Sequence, residues 1–143
     1  MSYNKVELVI EALEQFHPGP SEAHSVGRLY EILAELEELP DCTRAVPALF
    51  GVLERFPSGE FGSPGPIVHA LDAIAPCSKE LALSLLRQPT FYTVTMVNAI
   101  LNSKLSNANK AFWLSALENV QHNPRSSPEN RALATRYMSK HAA

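Results

Sequence analysis

The pair of side chains best suited to acid–base chemistry is His69 and Asp72, which lie three positions apart. At helical spacing a carboxylate can orient a histidine ring, and the histidine can then act as a general base. No nucleophile stands beside the pair in the sequence, and Ser63 is expected to cap a helix. We therefore interpret His69 as a buried or bridging histidine and expect no enzymatic activity.

The candidate metal ligands are scattered along the chain. His17 and His24 have no further ligands at the spacing of a metal site, and the only two cysteines, Cys42 and Cys77, lie far apart. The sequence also contains no phosphate-binding loop, dinucleotide-binding fingerprint or serine elbow. We expect no metal and no cofactor, and the two unpaired cysteines favour a reducing compartment.

The composition is typical of one globular domain. The chain has 143 residues, of which 45% are hydrophobic, so it is long enough to bury a core without disulfides. The first apolar run, residues 6–13, is interrupted by Glu7 and Glu11, which argues against a signal peptide and against a membrane span. We expect a single helical domain over residues 1–143, located in the cytoplasm.

Charge is distributed unevenly along the chain. Residues 1–72 contain 12 acidic and 4 basic side chains, whereas residues 73–143 contain 3 acidic and 8 basic ones, so the formal charges are −8 and +5. An acidic surface disfavours nucleic acid and favours a basic protein partner, although a merely solvated surface is the alternative. The residues expected to contact such a partner are Glu31, Glu35, Glu38, Asp41 and Glu60.

Apolar spacing, capping residues and prolines predict eight helices and no sheet. The predicted helices cover residues 4–16, 21–39, 41–56, 63–75, 90–102, 106–121 and 127–140, with a further helix that begins at residue 78. Ser21 and Asp41 are the expected caps of the second and third helices, and Pro47 is expected to delay or kink the third. The segment 90–102 is rich in β-branched residues, so a strand is the alternative there. Its length favours a helix, and Tyr92 and Trp113 are expected in the core.

Taken in pairs, the predicted helices begin near residues 4, 43, 78 and 107. Such spacing is close to the period of helical-hairpin repeats, in which each pair buries one face against the next. We therefore predict an all-α fold of stacked helical hairpins, similar to HEAT repeats. An irregular helical bundle is the competing architecture.

The segment between residues 56 and 66 concentrates glycine and proline. Three glycines and three prolines in so short a segment predict a loop with a defined path, because proline fixes its own φ and glycine reaches angles closed to other residues. Ser63 and Pro64 are expected to cap and begin the following helix. The free N–H groups at that helix start could hold an anion or a partner's carboxylate, and a tight connection between helices is the alternative.

Two segments resemble a known family. Residues 59–66, with His69 after them, resemble the GxFGSPGPLVH-type segment of small helical immunity proteins from bacterial contact-dependent growth inhibition and polymorphic toxin systems. Residues 84–90 are similar to a second recurring segment of that family, together with Met96, Asn98, Ile100, Leu101 and Asn102. The resemblance covers about residues 56–102, and Ala99 stands where that segment would have a basic residue.

The resemblance implies a HEAT-like helical fold and a protein that binds and neutralises the toxin encoded beside it, without catalysis. It assigns a structural role in the loop to Gly59, Gly62, Ser63, Pro64, Gly65, Pro66 and His69. Together with the acidic first half, it leads us to expect a cytoplasmic immunity protein whose partner is a basic toxin domain, such as a nuclease. We expect no nucleic acid or membrane partner. The alternatives are a helical-repeat adaptor with no toxin partner and an enzyme that uses His69 and Asp72.

Overall fold

The computed structural model describes residues 4–74 and 77–142. Over these residues the chain forms eight α-helices and two short 3-10 helices, and no strand, which confirms the predicted all-α fold class. The α-helices are α1 (Lys5–Glu14), α2 (Glu22–Leu33), α3 (Val46–Arg55), α4 (Pro66–Ile74), α5 (Ser78–Arg87), α6 (Phe91–Leu101), α7 (Asn107–His122) and α8 (Pro128–His141). The 3-10 helices are Leu36–Glu38 and Cys42–Ala45. The expected helix end at Ala75 and chain break at Pro76 lie outside the described residues.

Side-chain caps explain where most of the helices begin. A hydroxyl oxygen accepts a hydrogen bond of 3.1 Å from the backbone N–H three residues later at the start of α2, α6, α7 and α8. The four capping residues are Ser21, Thr90, Ser106 and Ser127. At α6 the Thr93 hydroxyl also accepts from the Thr90 N–H, which completes a capping box and outweighs the β-branched composition of the segment.

The second helix ends earlier than predicted. α2 stops at Leu33 instead of Leu39, and the chain continues as the 3-10 helix that buries Leu36 completely. No basic residue lies in the last turn of α2. If the helix continued, the carboxylates that follow would lie at its C-terminal end, where the helix dipole is negative and disfavours them. As a result, Glu31, Glu35 and Glu38 do not share one face of a continuous helix.

The prediction that Asp41 caps the third helix is wrong. A 3-10 helix follows Asp41, and α3 begins at Val46 with Pro47 in its first turn, where the missing N–H of proline costs nothing. The Asp41 carboxylate instead accepts from Asn4 Nδ2 at 3.1 Å and from Arg44 Nη1 at 3.4 Å. This late start agrees with the delay expected from Pro47.

The fourth helix begins two residues later than predicted. α4 starts at Pro66, so Ser63 is not its cap and Pro64 is not its first residue. Gly65 precedes the helix with a φ of 91°, a left-handed angle that a right-handed helix cannot include. Pro66 takes the position in the first turn that the sequence analysis assigns to Pro64.

Residues 1–80 and 81–143 form two compact units. In the first unit α1 packs on α3 and α2 packs on α4, which is the neighbour relation expected of stacked hairpins. In the second unit α6, α7 and α8 pack against one another, and Tyr92 and Trp113 are buried as predicted. The single domain over residues 1–143 stays a prediction. Largest among the fully buried side chains of the first unit are Phe50, Phe61, Leu13, Leu29, Leu36, Leu49 and Leu53.

Candidate partner-binding surface

The loop between α3 and α4 is anchored by aromatic packing. The Phe61 ring is almost fully buried and meets the rings of Phe16 and Phe56 edge to face, with centroids 5.9 and 6.5 Å away. Edge-to-face contacts of this kind add to the free energy gained from burial alone. The Gly59 N–H also donates to the Phe56 carbonyl oxygen at 2.8 Å, which closes a turn at the start of the loop.

Two glycines fix the path of the loop where it approaches α4. Gly62 and Gly65 have φ angles of 99° and 91°, a region that residues with a side chain rarely adopt. The Gly62 N–H donates to the Glu22 carboxylate at 3.3 Å, which joins the loop to the start of α2. Among the remaining loop residues, Gly65 and Pro66 are buried, whereas Ser63 and Pro64, joined by a cis peptide bond, are exposed.

His69 and Asp72 are not paired in the part of the chain that the structure describes. Both side chains are exposed on α4, and no hydrogen bond or ion pair among the described residues joins them. The interpretation of His69 as a buried or bridging histidine is therefore wrong, because α4 buries Val68 and Ala70 and turns the intervening position outward. In the part of the chain that the structure describes, no group of three or more potential ligands could hold a metal ion.

The predicted contact residues lie on the first unit, where basic neighbours partly neutralise them. Glu31 pairs with Arg28 at 3.3 Å, and Glu35 pairs with Lys5 of α1 at 3.8 Å. Arg44 reaches Asp41 at 3.4 Å. It also reaches Glu7 of α1 at 3.4 Å. All of these pairs are substantially exposed, so each contributes little to stability, and the carboxylates stay accessible to a partner.

Two neighbouring carboxylates have no such compensation. Glu37 and Glu38 are exposed in the 3-10 helix, and no ion pair among the described residues involves either of them. We use the name acidic strip for the four exposed glutamates of residues 31–38, which are Glu31, Glu35, Glu37 and Glu38. Glu37 is not among the contact residues predicted from the sequence, although the two glutamates between Leu36 and Leu39 are a signal for it, since residues between two apolar anchors tend to face outward.

Glu60 stands apart from the acidic strip. It is exposed on the loop before α4, and no hydrogen bond or ion pair of the described residues links it to α2 or to the 3-10 helix. Both features belong to the first compact unit, whose residues 1–80 carry 13 acidic and 5 basic side chains, a formal charge of −8. The unit therefore presents a negative surface over a scaffold that is held by packed helices and an anchored loop.

Comparison with protein-family models, with curated proteins and with solved structures finds no match for this chain. The resemblance to immunity proteins accordingly depends on the two sequence segments that carry it. None of the helices in residues 4–74 and 77–142 is both long enough and apolar enough to cross a membrane.

Proposed function

We propose that this protein is an immunity protein that binds a bacterial toxin domain and neutralises it by covering its surface, without catalysis. The observation that carries the proposal is the acidic strip, in which Glu37 and Glu38 are exposed and form no ion pair with any described residue. The resemblance of residues 59–66 and 84–90 to immunity proteins supports the same function. The cytoplasm is the proposed location, because a delivered toxin would act there.

The toxin surface that fits the acidic strip is a basic one. A nuclease is a suitable partner, because a surface that binds phosphates carries lysine and arginine and would also attract carboxylates. Complementary charge raises the association rate more reliably than it raises affinity. An inhibitor that must reach its toxin before damage occurs benefits from fast association.

The anchored loop gives the proposal a second contact point. Buried Phe61 and the constrained Gly65 hold the loop in place, so exposed Glu60 is presented from a fixed backbone. A preorganised loop loses little conformational entropy on binding, which favours affinity. In this proposal the loop residues named by the resemblance act through rigidity, and Glu60 makes the contact.

The proposal is tested by mixing the purified protein with the C-terminal domain of any large secreted protein whose gene lies immediately upstream. We expect a stoichiometric complex in analytical ultracentrifugation. In a separate kinetic measurement, the association rate should fall steeply as salt is raised. Failure of the two proteins to form a complex at low and physiological salt would contradict the proposal. Full inhibition of the toxin by a His69→Ala variant is also expected, since His69 has no catalytic role in this account.

A helical-repeat adaptor remains the second candidate, and the packing of α1 on α3 and of α2 on α4 favours it equally. The gene neighbourhood separates the two proposals. A gene for a large secreted protein immediately upstream favours immunity, whereas a conserved complex with an intracellular protein and no such gene favours the adaptor.

A further inference from the structure

The second unit contains an apolar cleft between α5 and α7 that the proposed function does not use. Leu86 of α5 and Phe112 of α7 line it, and their exposed fractions are 59% and 53%. Ala82, Leu85 and Ala116 complete its apolar wall, and its volume is about 120 Å³. Large apolar side chains that are half exposed and face one cleft are typical of a binding site rather than of a core.

The cleft lies beside an end of α5 that is fastened by hydrogen bonds. Asn123 Nδ2 donates to the Leu86 carbonyl oxygen at 3.0 Å, and Arg125 Nη1 donates to that of Arg87 at 3.0 Å. These bonds tie the end of α5 to the loop after α7. The closely packed helix pairs of this unit are α6–α7, α6–α8 and α7–α8, whereas α5 and α7 meet less closely. Their apolar side chains therefore line a gap instead of filling it.

One end of the cleft is polar and basic. Leu86 and Asn119 also line an adjoining open cavity, together with His122, Asn123 and Arg125. Arg125 is exposed, and its hydrogen bond to Arg87 uses one of the five N–H groups of the guanidinium. The remaining N–H groups are suited to a carboxylate, which a guanidinium can bind with two parallel hydrogen bonds.

Charge in the rest of the unit has the same sign. Residues 81–143 carry seven lysine and arginine side chains against two carboxylates, a formal charge of +5. Neither carboxylate, Glu118 or Glu129, lines the cleft or its polar end. An apolar cleft with a basic end in a basic unit complements an apolar group that has acidic neighbours.

We propose that this cleft binds a segment of a partner protein that inserts one leucine or phenylalanine side chain and places an aspartate or glutamate at Arg125. The volume is suitable, because an apolar cavity of about 150 Å³ holds one benzene-sized group. A peptide segment with one apolar anchor and an acidic flank is the chemistry that matches both halves of the site. The proposal does not depend on the immunity function, since any partner with such a segment would be recognised.

The test is selection from a phage-displayed library of random 12-residue peptides against the intact protein. We expect enriched peptides to share a leucine or phenylalanine followed within about four residues by an acidic residue, roughly one helical turn. Binding is then measured with synthetic peptides by fluorescence anisotropy. The buried Trp113 ring, 5.0 Å from the Phe112 ring, provides a second, label-free signal.

Three variants distinguish peptide binding in the cleft from non-specific hydrophobic binding. Leu86→Gln and Phe112→Gln should each weaken peptide binding by about tenfold or more, as expected for an apolar anchor that loses its contact. Leu83→Gln is the matched control, because Leu83 is an exposed leucine on the same helix that does not line the cleft. All three positions are exposed, so the variants should fold, which circular dichroism would verify.

Several results would overturn the proposal. They are the absence of enriched peptides, enrichment of basic sequences, or peptide binding that Leu86→Gln and Phe112→Gln leave unchanged. Self-association in sedimentation experiments that both cleft variants abolish would also overturn it, because the occupant would then be a second copy of this chain.

Discussion

The carbonyl oxygen of Phe61 occupies the place where a side chain at Gly65 would begin. A Cβ atom built on Gly65 would lie 1.8 Å from that oxygen, far inside van der Waals contact. Since Phe61 is fixed by its buried ring and Gly65 immediately precedes α4, this approach sets the position at which the loop enters the helix. The path of the loop and the start of α4 therefore both require a glycine at position 65.

We expect Gly65→Ala to lower the free energy of unfolding by about 2 kcal/mol or more, because alanine would combine a left-handed φ with a backbone clash. Urea denaturation measures the change. Gly27→Ala is the control, since Gly27 lies in α2 and a Cβ there meets nothing within 4 Å. That substitution should stabilise the protein by about 0.5–1 kcal/mol. Equal effects of the two substitutions would contradict the constraint assigned to Gly65.

The Asn123 amide helps to join the end of α5 to the loop after α7. Asn123 Nδ2 donates to the carbonyl oxygens of Leu85 and Leu86 at 3.4 and 3.0 Å, and Asn123 Oδ1 accepts from the Arg125 N–H at 2.9 Å. We expect Asn123→Ala to cost about 0.5–1.5 kcal/mol in unfolding free energy, because hydrogen bonds that are exposed or half-buried are lost and water can replace them in part. Asn119→Ala, at an exposed position of α7, is the control and should change stability by less than about 0.5 kcal/mol. If Asn123→Ala left the free energy of unfolding unchanged, water would have replaced the hydrogen bonds of the amide.

The sequence predicts the helix starts that a serine caps, but it misses the starts of α3 and α4 and the end of α2. Ser21, Ser106 and Ser127 are found as predicted because a cap is a local interaction between residues three apart. The end of α2 at Leu33 could not be read in this way, since it depends on how Leu36 is buried against other elements. Tertiary packing decides such positions.

The candidate site shows the same limit. The composition shows that the first half of the chain is acidic. It does not show which carboxylates are paired with a basic side chain, as Glu31 and Glu35 are. Arg28 lies three positions from Glu31 and could be anticipated, whereas Lys5 comes from another helix. The exposure of Leu86 and Phe112 could not be predicted from the sequence either. Helical spacing shows which face of a helix is apolar, but not how closely two helices approach each other.

The stability of the second unit should depend on the protonation of His141. Burial of the imidazole, followed by the charges of Lys140 and Lys110, lowers the pKa of His141, whose Nε2 lies 2.8 Å from Asn98 Oδ1. As the pH falls below the ordinary histidine pKa of about 6.5, the unfolded chain takes up a proton before the folded chain does. The contribution to stability is therefore complete above that pH and is lost as the pH falls towards the folded pKa.

Thermal unfolding of the wild type and of His141→Gln at pH 7.5 and pH 5.5 tests this expectation. The melting temperature of the wild type should fall more on acidification than that of the variant, which retains a group able to donate to Asn98. Identical pH dependence in the two proteins would show that His141 does not contribute.

Charge reversal tests the acidic strip itself. The double variant Glu37→Lys with Glu38→Lys should slow association with the toxin domain by about tenfold or more at low salt and flatten its salt dependence, because steering acts mainly on the association rate. Stopped-flow fluorescence measures the rate. Glu118→Lys with Glu129→Lys, in the second unit, changes the net charge by the same amount and should slow association much less.

Two other results are possible in this comparison. Equal slowing by both would show that only net charge matters. Unchanged association in the Glu37 and Glu38 variant would remove the acidic strip from the account and leave the immunity proposal supported only by the two sequence segments.

The central claim is that this protein protects a cell by binding a toxin and covering its surface. The claim is tested directly by the growth of a bacterial strain that expresses, with and without this protein, the C-terminal domain of a large secreted protein whose gene lies immediately upstream. The account predicts that growth stops when the domain is expressed alone and is restored on co-expression, with His69→Ala protecting as well as the wild type. A toxic domain whose effect on growth is unchanged by co-expression of this protein would contradict the account.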